Sequence, residues 1–198
     1  MNREGLVDVP PRWRIVPPDG VAAEGRMPLR LTSGPGFGDG RHPTTQLCLG
    51  ALAALAPRGR AWRLLDFGSG SGILSVAGAQ LGATVDAVEI DPPAVVHAQR
   101  NLVLNRVAAS VRQVTAIDDA VGPFDLVVGN ILRTVLLSFA RPLVERLARG
   151  GVLILSGLVS TDVPEVSSEY GRLLGARPEV YERNEWRGLV WRAAQRVA

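Results

Sequence analysis

Asp66-Phe67-Gly68-Ser69-Gly70-Ser71-Gly72 sets a carboxylate and three alternating glycines between the apolar pair Leu64-Leu65 and the helix-forming Ile73-Leu74. An apolar run ending in this spacing reads as a buried strand that turns sharply into a helix beneath a ligand. Glycines let the chain take unusual backbone angles and let a small molecule lie against main chain. A P-loop would need a lysine to reach phosphates, and the sequence contains no lysine. A dinucleotide fingerprint wants glycine or alanine where this chain has Ile73, which disfavours a nicotinamide-dependent oxidoreductase. Asp66 would repel a pyrophosphate and suits a ligand with an ammonium group. S-adenosylmethionine is such a ligand, with an amino-acid ammonium, a sulfonium and no phosphate. Glycine spacing alone also fits a tight strand-to-helix turn that holds nothing.

Further groups fall where strands should end. Glu89 lies about 20 residues past the loop, where an acid can accept both hydroxyls of a ribose. Thr115-Ala116-Ile117-Asp118-Asp119 stands where backbone and apolar atoms could meet an adenine, although the two acids also suit a solvated loop. Asn130 follows Asp125-Leu126-Val127-Val128-Gly129, and its amide oxygen could orient an amine nucleophile without fully charging it. A plain turn asparagine is the competing reading. His42 reads as a loop histidine bonded to backbone more readily than as a base, and His97, in mid-helix, reads as a surface residue.

Alternating elements would position these groups. Strands are predicted over Trp62–Asp66, Thr84–Glu89, Ser110–Val114, Phe124–Asn130 and Val152–Leu158, the last so continuously apolar that both of its faces should be covered. Helical spacing places Cys48, Ala51, Leu52 and Leu55 on one helix, with threonines capping its start, and Ile73, Leu74, Ala77 and Leu81 on another ended by Gly82. Asp91-Pro92 opens a helix to about Asn105 with Val95, Ala98 and Leu102 inward. A single helix is expected from Leu132 to Arg149, closed by Gly150-Gly151. Asp162 and Glu165 form a capping pair for a helix ended by Gly175. Pro178–Arg183 and Gly188–Arg192 are separated only by a turn at Asn184-Glu185, so they should form an antiparallel hairpin. The fold class is therefore α/β: a Rossmann-like, mostly parallel seven-stranded sheet with a C-terminal antiparallel hairpin, whose strand ends converge on one crevice. Residues 1–33, with Pro10-Pro11 and Pro17-Pro18 around Trp13-Arg14-Ile15-Val16, read as an extension with one or two edge strands packed on the main 34–198 domain.

Composition narrows the class. A chain of 198 residues, 46% hydrophobic, can bury one substantial core and is too short for two full domains. Its 22 basic residues, all arginine, are scattered, which favours a solvated surface over a nucleic-acid partner. A lone cysteine, Cys48, in an apolar setting reads as a buried small hydrophobe, and two histidines argue against a zinc site. Neither an apolar leader nor a membrane-length apolar run is present in the sequence, so a cytoplasmic protein is the expectation.

Five stretches together resemble the PrmA family, the bacterial methyltransferases of large-subunit ribosomal protein eleven. They are Gly-Phe-Gly-Asp-Gly-Arg-His-Pro-Thr-Thr-Gln-Leu-Cys-Leu (36–49), Leu-Asp-Phe-Gly-Ser-Gly-Ser-Gly-Ile-Leu (65–74), Val-Glu-Ile-Asp-Pro (88–92), Phe-Asp-Leu-Val-Val-Gly-Asn-Ile-Leu (124–132) and Gly-Gly-Val-Leu-Ile-Leu-Ser-Gly-Leu (150–158). The likeness runs from about Trp13 to Trp191. It implies S-adenosylmethionine-dependent methylation of protein amines, with a ribosomal protein or a small molecule as acceptor. A cofactor-binding module without catalysis is the reading from another class. By resemblance Phe37, Thr44 and Thr45 would close over the cofactor, Gly68 and Gly70 would line it and Glu89 would hold the ribose, with Asp66, Ser69, Ile90 and Ala116 the further residues expected to bind it. Asn130 would sit beside the methionyl end as the catalytic group. Two features differ from the family: Asp39 stands where threonine is usual, and its separate N-terminal substrate-recognition domain has no counterpart in this sequence.

Overall fold

The computed structural model describes residues 7–9, 11–21 and 24–193. The parts of the expected extension at 1–6, Pro10 and 22–23, and the end of the expected main domain at 194–198, lie outside the described residues. Seven strands form one sheet in the order β6-β5-β4-β7-β8-β10-β9. They are β4 (Trp62–Phe67), β5 (Ala83–Val88), β6 (Val111–Val114), β7 (Phe124–Asn130), β8 (Leu147–Val159), β9 (Glu179–Arg183) and β10 (Trp186–Arg192). Strands β4 to β8 pair in parallel, whereas β10 runs antiparallel to both β8 and β9. The chain winds outward from β4 to β6 and then crosses back to β7, so the order reverses between β4 and β7. Two neighbouring connections leave that point in opposite directions, and their strand ends cannot be roofed by a single loop.

The period-2 alternation of each strand sends successive side chains to opposite faces. Leu64, Val85, Leu126, Val128 and Ile154 pack on one face with Cys48, Leu49 and Leu52 of α1 (Pro43–Leu55) and with Leu74 and Ala77 of α2 (Ile73–Gln80). Leu102 of α3 (Pro92–Leu104) joins the same cluster. Leu65, Phe67, Val127, Leu153 and Leu155 face α4 (Arg133–Ser138), α5 (Ala140–Glu145) and α6 (Val163–Leu174) through Leu136, Leu143, Val166 and Tyr170. Tyr170 is fully buried, and its hydroxyl donates to the carbonyl of Leu136 at 2.7 Å, which ties α6 to α4. Among the described residues no helix is long and apolar enough to cross a membrane.

The N-terminal segment forms three strands where one or two were expected: β1 (Val7–Val9), β2 (Trp13–Val16) and β3 (Met27–Arg30). β1 is antiparallel to β2, and β3 is parallel to it at the edge, where Pro28 need not donate to a further neighbour. This small sheet buries Trp13, Ile15 and Leu29 in the same core as α1 and α2, and the indole N–H of Trp13 donates to Gln80 Oε1 at 2.9 Å.

The single helix expected over 132–149 is two short helices followed by a strand. Pro142 has no N–H to give the carbonyl of Ser138, so the helix breaks at Phe139 and restarts. From Leu147 the chain is already pairing with β7, Phe124 donating its N–H to the Arg146 carbonyl at 2.8 Å. Asp162 is the N-cap of α6, but its side chain turns back to accept the N–H of Val159 at 3.0 Å. Both it and Glu165 pair with Arg133.

Candidate active site

The glycine loop leaves β4 and is tied at once to the neighbouring strand: the N–H groups of Gly68 and Ser69 both donate to the carbonyl of Val88, at 2.9 and 3.0 Å. Glu89, the first residue past β5, completes the junction. Its Oε2 accepts the N–H of Gly70 at 2.9 Å, and its Oε1 accepts those of Ile90 and Asp91 at 2.9 and 3.0 Å. A carboxylate offers about four lone-pair directions, so three backbone donors leave one for a ligand hydroxyl. The loop and the start of α3 are thereby fixed by one side chain.

Opposite lies the segment from Pro35 to Arg41. The N–H of Ser71 donates to the Phe37 carbonyl at 2.8 Å, and its hydroxyl to the Gly38 carbonyl at 2.6 Å. A cavity of about 400 Å³ opens between this segment and the glycine loop. Phe37, Thr44, Gly68, Gly70, Glu89 and Asn130, all expected at the site, line it. At its floor Asn130 donates its amide N–H to Thr45 Oγ1 at 3.3 Å, leaving its Oδ1 buried with no partner. A buried carbonyl oxygen without a donor costs roughly 1–3 kcal/mol, which a ligand N–H would recover.

Five other expected residues stand off the wall. Thr45 is fully buried behind it as the partner of Asn130, Ser69 is buried, and Ile90 and Ala116 are exposed. Asp66 is a correction: its carboxylate does not point into the loop. The pleat of β4 sends it to the α1–α2 face, where it is fully buried and Oδ2 accepts the hydroxyl of Ser75 at 2.6 Å while Oδ1 has no partner. Burial raises its pKa from 3.8 to about 6 against the opposing pull of the Ser75 hydrogen bond. The folded chain thus holds this proton more tightly than the unfolded one, so its contribution is most favourable below about pH 4 and is lost as pH rises to about 6. Relative to the parent, Asp66→Asn is expected to gain about 2–3 kcal/mol of unfolding free energy between pH 4 and pH 7, read from urea titrations. A difference that stays flat across that window refutes the raised carboxyl. Burial likewise pushes the Cys48 thiol upward, with Asp66 adding to the effect, so Cys48 is the inert core residue expected.

Of the two histidines, His42 is the backbone-bonded loop residue expected, whereas His97 and the cap of α1 differ from the sequence reading. His42, not a threonine, caps α1: its Nδ1 lies 3.4 Å from the N–H of Thr44 and 2.7 Å from the Thr44 hydroxyl. Its ring meets Phe37 and Trp186 edge-on, at centroid distances of 5.4 and 4.6 Å, and both His42 and Trp186 line the cavity. No local signal marks Trp186, because it reaches the site only after the terminal hairpin folds beside β8. His97, expected at the surface, is 4% exposed. The signal that would have found it is the four-residue spacing of His97, Asn101 and Asn105, which puts three polar groups on one side of a helix.

A seven-stranded sheet of this order, with a glycine loop and an orphaned asparagine oxygen at the reversal point, defines the Rossmann-like class I methyltransferase fold. The solved ribosomal protein L11 methylase from Lactobacillus delbrueckii subsp. bulgaricus superposes with a TM-score of 0.83 at 27% identity, covering 94% of this chain and 98% of that one. The chain belongs to the family "Ribosomal protein L11 methyltransferase (PrmA)", whose sequence profile matches residues 7–194. A ribosomal protein L11 methyltransferase from Geobacter sulfurreducens is 40% identical over 185 residues, 93% of this chain and 59% of the relative. One from Pelobacter propionicus is 37% identical over 194 residues, 94% and 61%. The chain thus spans about three fifths of the length of these curated relatives. A Thermus thermophilus 16S rRNA methyltransferase, solved with AdoMet and guanosine, matches at a TM-score of 0.67 and 26% identity, covering 79% of this chain and 45% of that one.

Proposed function

We propose that this chain is the catalytic part of an S-adenosylmethionine-dependent methyltransferase acting on amine groups of a protein, by kinship ribosomal protein L11. Such an acceptor belongs to the cytoplasm. The observation that carries the reading is Asn130: a carbonyl oxygen buried in the cavity wall, without a partner, and held in register by Thr45. The rest of the cavity fits the same ligand. Glu89 keeps an acceptor position for a ribose hydroxyl, main chain at Gly68 and Gly70 leaves room along the loop, and no phosphate-binding lysine is present in the sequence.

The bound donor would supply a methyl group on a sulfonium, which is its own leaving group, so the protein's tasks are alignment and the exclusion of water. Asn130 Oδ1 would accept one N–H of a neutral amine and turn its lone pair toward the methyl. A neutral carbonyl, unlike a carboxylate, does not favour the protonated amine, which cannot attack. Phe37, His42 and Trp186 would close the cavity mouth with ring surface. Asp39, which could have obstructed the acceptor, instead accepts the N–H of Arg41 at 2.9 Å and does not line the cavity. That speaks for catalysis over a binding-only module.

The test is transfer of radiolabelled methyl from S-adenosylmethionine to purified L11 and, separately, to a cell lysate. Asn130→Ala is expected to lower transfer about 100-fold, a change of ~3 kcal/mol in the barrier, with donor affinity held within tenfold. Transfer equal to the parent removes Asn130 from the chemistry. Label entering only small molecules overturns the protein acceptor, and binding without transfer to either favours the non-catalytic module.

A further inference from the structure

Backbone at the end of β3 and in the irregular stretch that follows it finds partners on side chains of α3 and of its C-cap Asn105. Asn105 Oδ1 accepts the N–H of Arg30 at 2.9 Å, and its Nδ2 donates to the Arg30 carbonyl at 2.7 Å. One turn back, Asn101 Oδ1 accepts both the N–H and the hydroxyl of Thr32 at 2.9 Å. Another turn back, His97 Nδ1 accepts the N–H of Gly36 at 3.2 Å. That donor fixes the tautomer, so Nε2 carries the proton and donates to the Thr32 carbonyl at 2.9 Å. Ascending α3 in steps of four while descending the chain from 36 to 30, these side chains supply backbone partners from the end of β3, where Arg30 still pairs with Val16, to Gly36, well beyond the small sheet. Asn101 is fully buried, and an amide or imidazole so placed orders the backbone it bonds because leaving either side unmatched is costly.

The same helix reaches the opposite wall of the cavity. Asn101 Nδ2 donates to the carbonyl of Ser71 at 2.9 Å, and Ser71 in turn holds Phe37 and Gly38 through its N–H and hydroxyl. The segment lies directly against the His97 ring: a Cβ on Gly34 would fall 2.4 Å from it. On its other side, a Cβ on Gly36 would fall 2.6 Å from the carbonyl carbon of Gly70. Pro35, Gly36 and Phe37 are thus clasped between α3 and the glycine loop, and all three line the cavity.

We propose that His97 and Asn101 are positioning residues for the methyl-donor site: they set the distance between the Pro35–Phe37 segment and the glycine loop without touching the ligand. The proposal rests on the cofactor reading above. Its test uses the full chain and three measurements: calorimetric binding of S-adenosylhomocysteine, KM and kcat for labelled methyl transfer, and hydrogen exchange at the Gly36 amide without ligand. His97→Phe keeps a ring and removes both bonds, whereas His97→Gln restores one acceptor and one donor. The phenylalanine variant is expected to bind at least tenfold more weakly, raise the donor KM in step, keep kcat within twofold and exchange Gly36 at least tenfold faster. The glutamine variant is expected to recover most of each loss. A merely structural role would lower the melting temperature without this recovery or the split between KM and kcat. Should His97→Phe fail to fold, His97→Ala removes the same bonds without bulk and carries the same expectation. Parent-like binding by the variant, or glutamine no better than phenylalanine, overturns the proposal while leaving the cofactor reading intact. No binding by the parent chain overturns both.

Discussion

Gly70→Ala is expected to abolish measurable binding of S-adenosylmethionine and to lower the unfolding free energy by about 2–4 kcal/mol. Gly70 has φ +54°, in the left-handed region, and a Cβ there would lie 2.5 Å from the Phe37 carbonyl oxygen. Backbone strain of roughly 1–2 kcal/mol comes from the first fact. The second is more damaging to function, because relieving the overlap must push the Phe37 segment off the loop and break the bond from the Ser71 N–H to that same carbonyl. Gly59→Ala separates the two effects: Gly59 has φ +71° with nothing within 4 Å, so it should show backbone strain alone and parent-like binding. Calorimetry beside urea unfolding makes the comparison. Binding by Gly70→Ala within threefold of the parent would show that the loop and its cover need not touch for the donor to be held.

Glu89→Gln is the second large effect, an expected loss of about 100-fold in donor affinity together with about 1–3 kcal/mol of stability. The change keeps size and shape and replaces one acceptor oxygen by an NH2 group. Whichever way the amide turns, that NH2 meets a backbone N–H, either that of Gly70 or those of Ile90 and Asp91. The negative charge at the start of α3, favourable at a helix N-terminus, is lost as well. A direct ligand contact would account for affinity alone; the junction described above requires affinity and stability to fall together. Unfolding midpoints that do not move when affinity collapses would contradict the shared role.

How much of this could be read from the residues follows the range of the forces involved. Strand β8 was legible because burial on both faces writes a continuous apolar run into residues 152–155, and the terminal hairpin because Asn184-Glu185 left no room for a crossover. Glu89 and Asn130 were legible as strand-end positions once the alternation was recognised. Asp66 was placed at the right strand end and given the wrong direction, since only the pleat decides which face receives it. The helix expected over 132–149 failed on Pro142, whose missing N–H breaks it at Phe139. His97 and Trp186 were missed for a different reason: each depends on segments more than 20 residues away, Thr32 and Gly36 for the first and the β8 edge for the second.

Trp186 has one more consequence. Of the four tryptophans, Trp13, Trp62 and Trp191 are 0%, 3% and 0% exposed and sealed in the interior, while Trp186 alone borders the cavity, edge-on to His42. Three indoles therefore supply a constant emission background, and the fourth sits where an arriving adenosyl compound or acceptor would alter its surroundings. The chain carries its own optical gauge of occupancy, with no dye or label required.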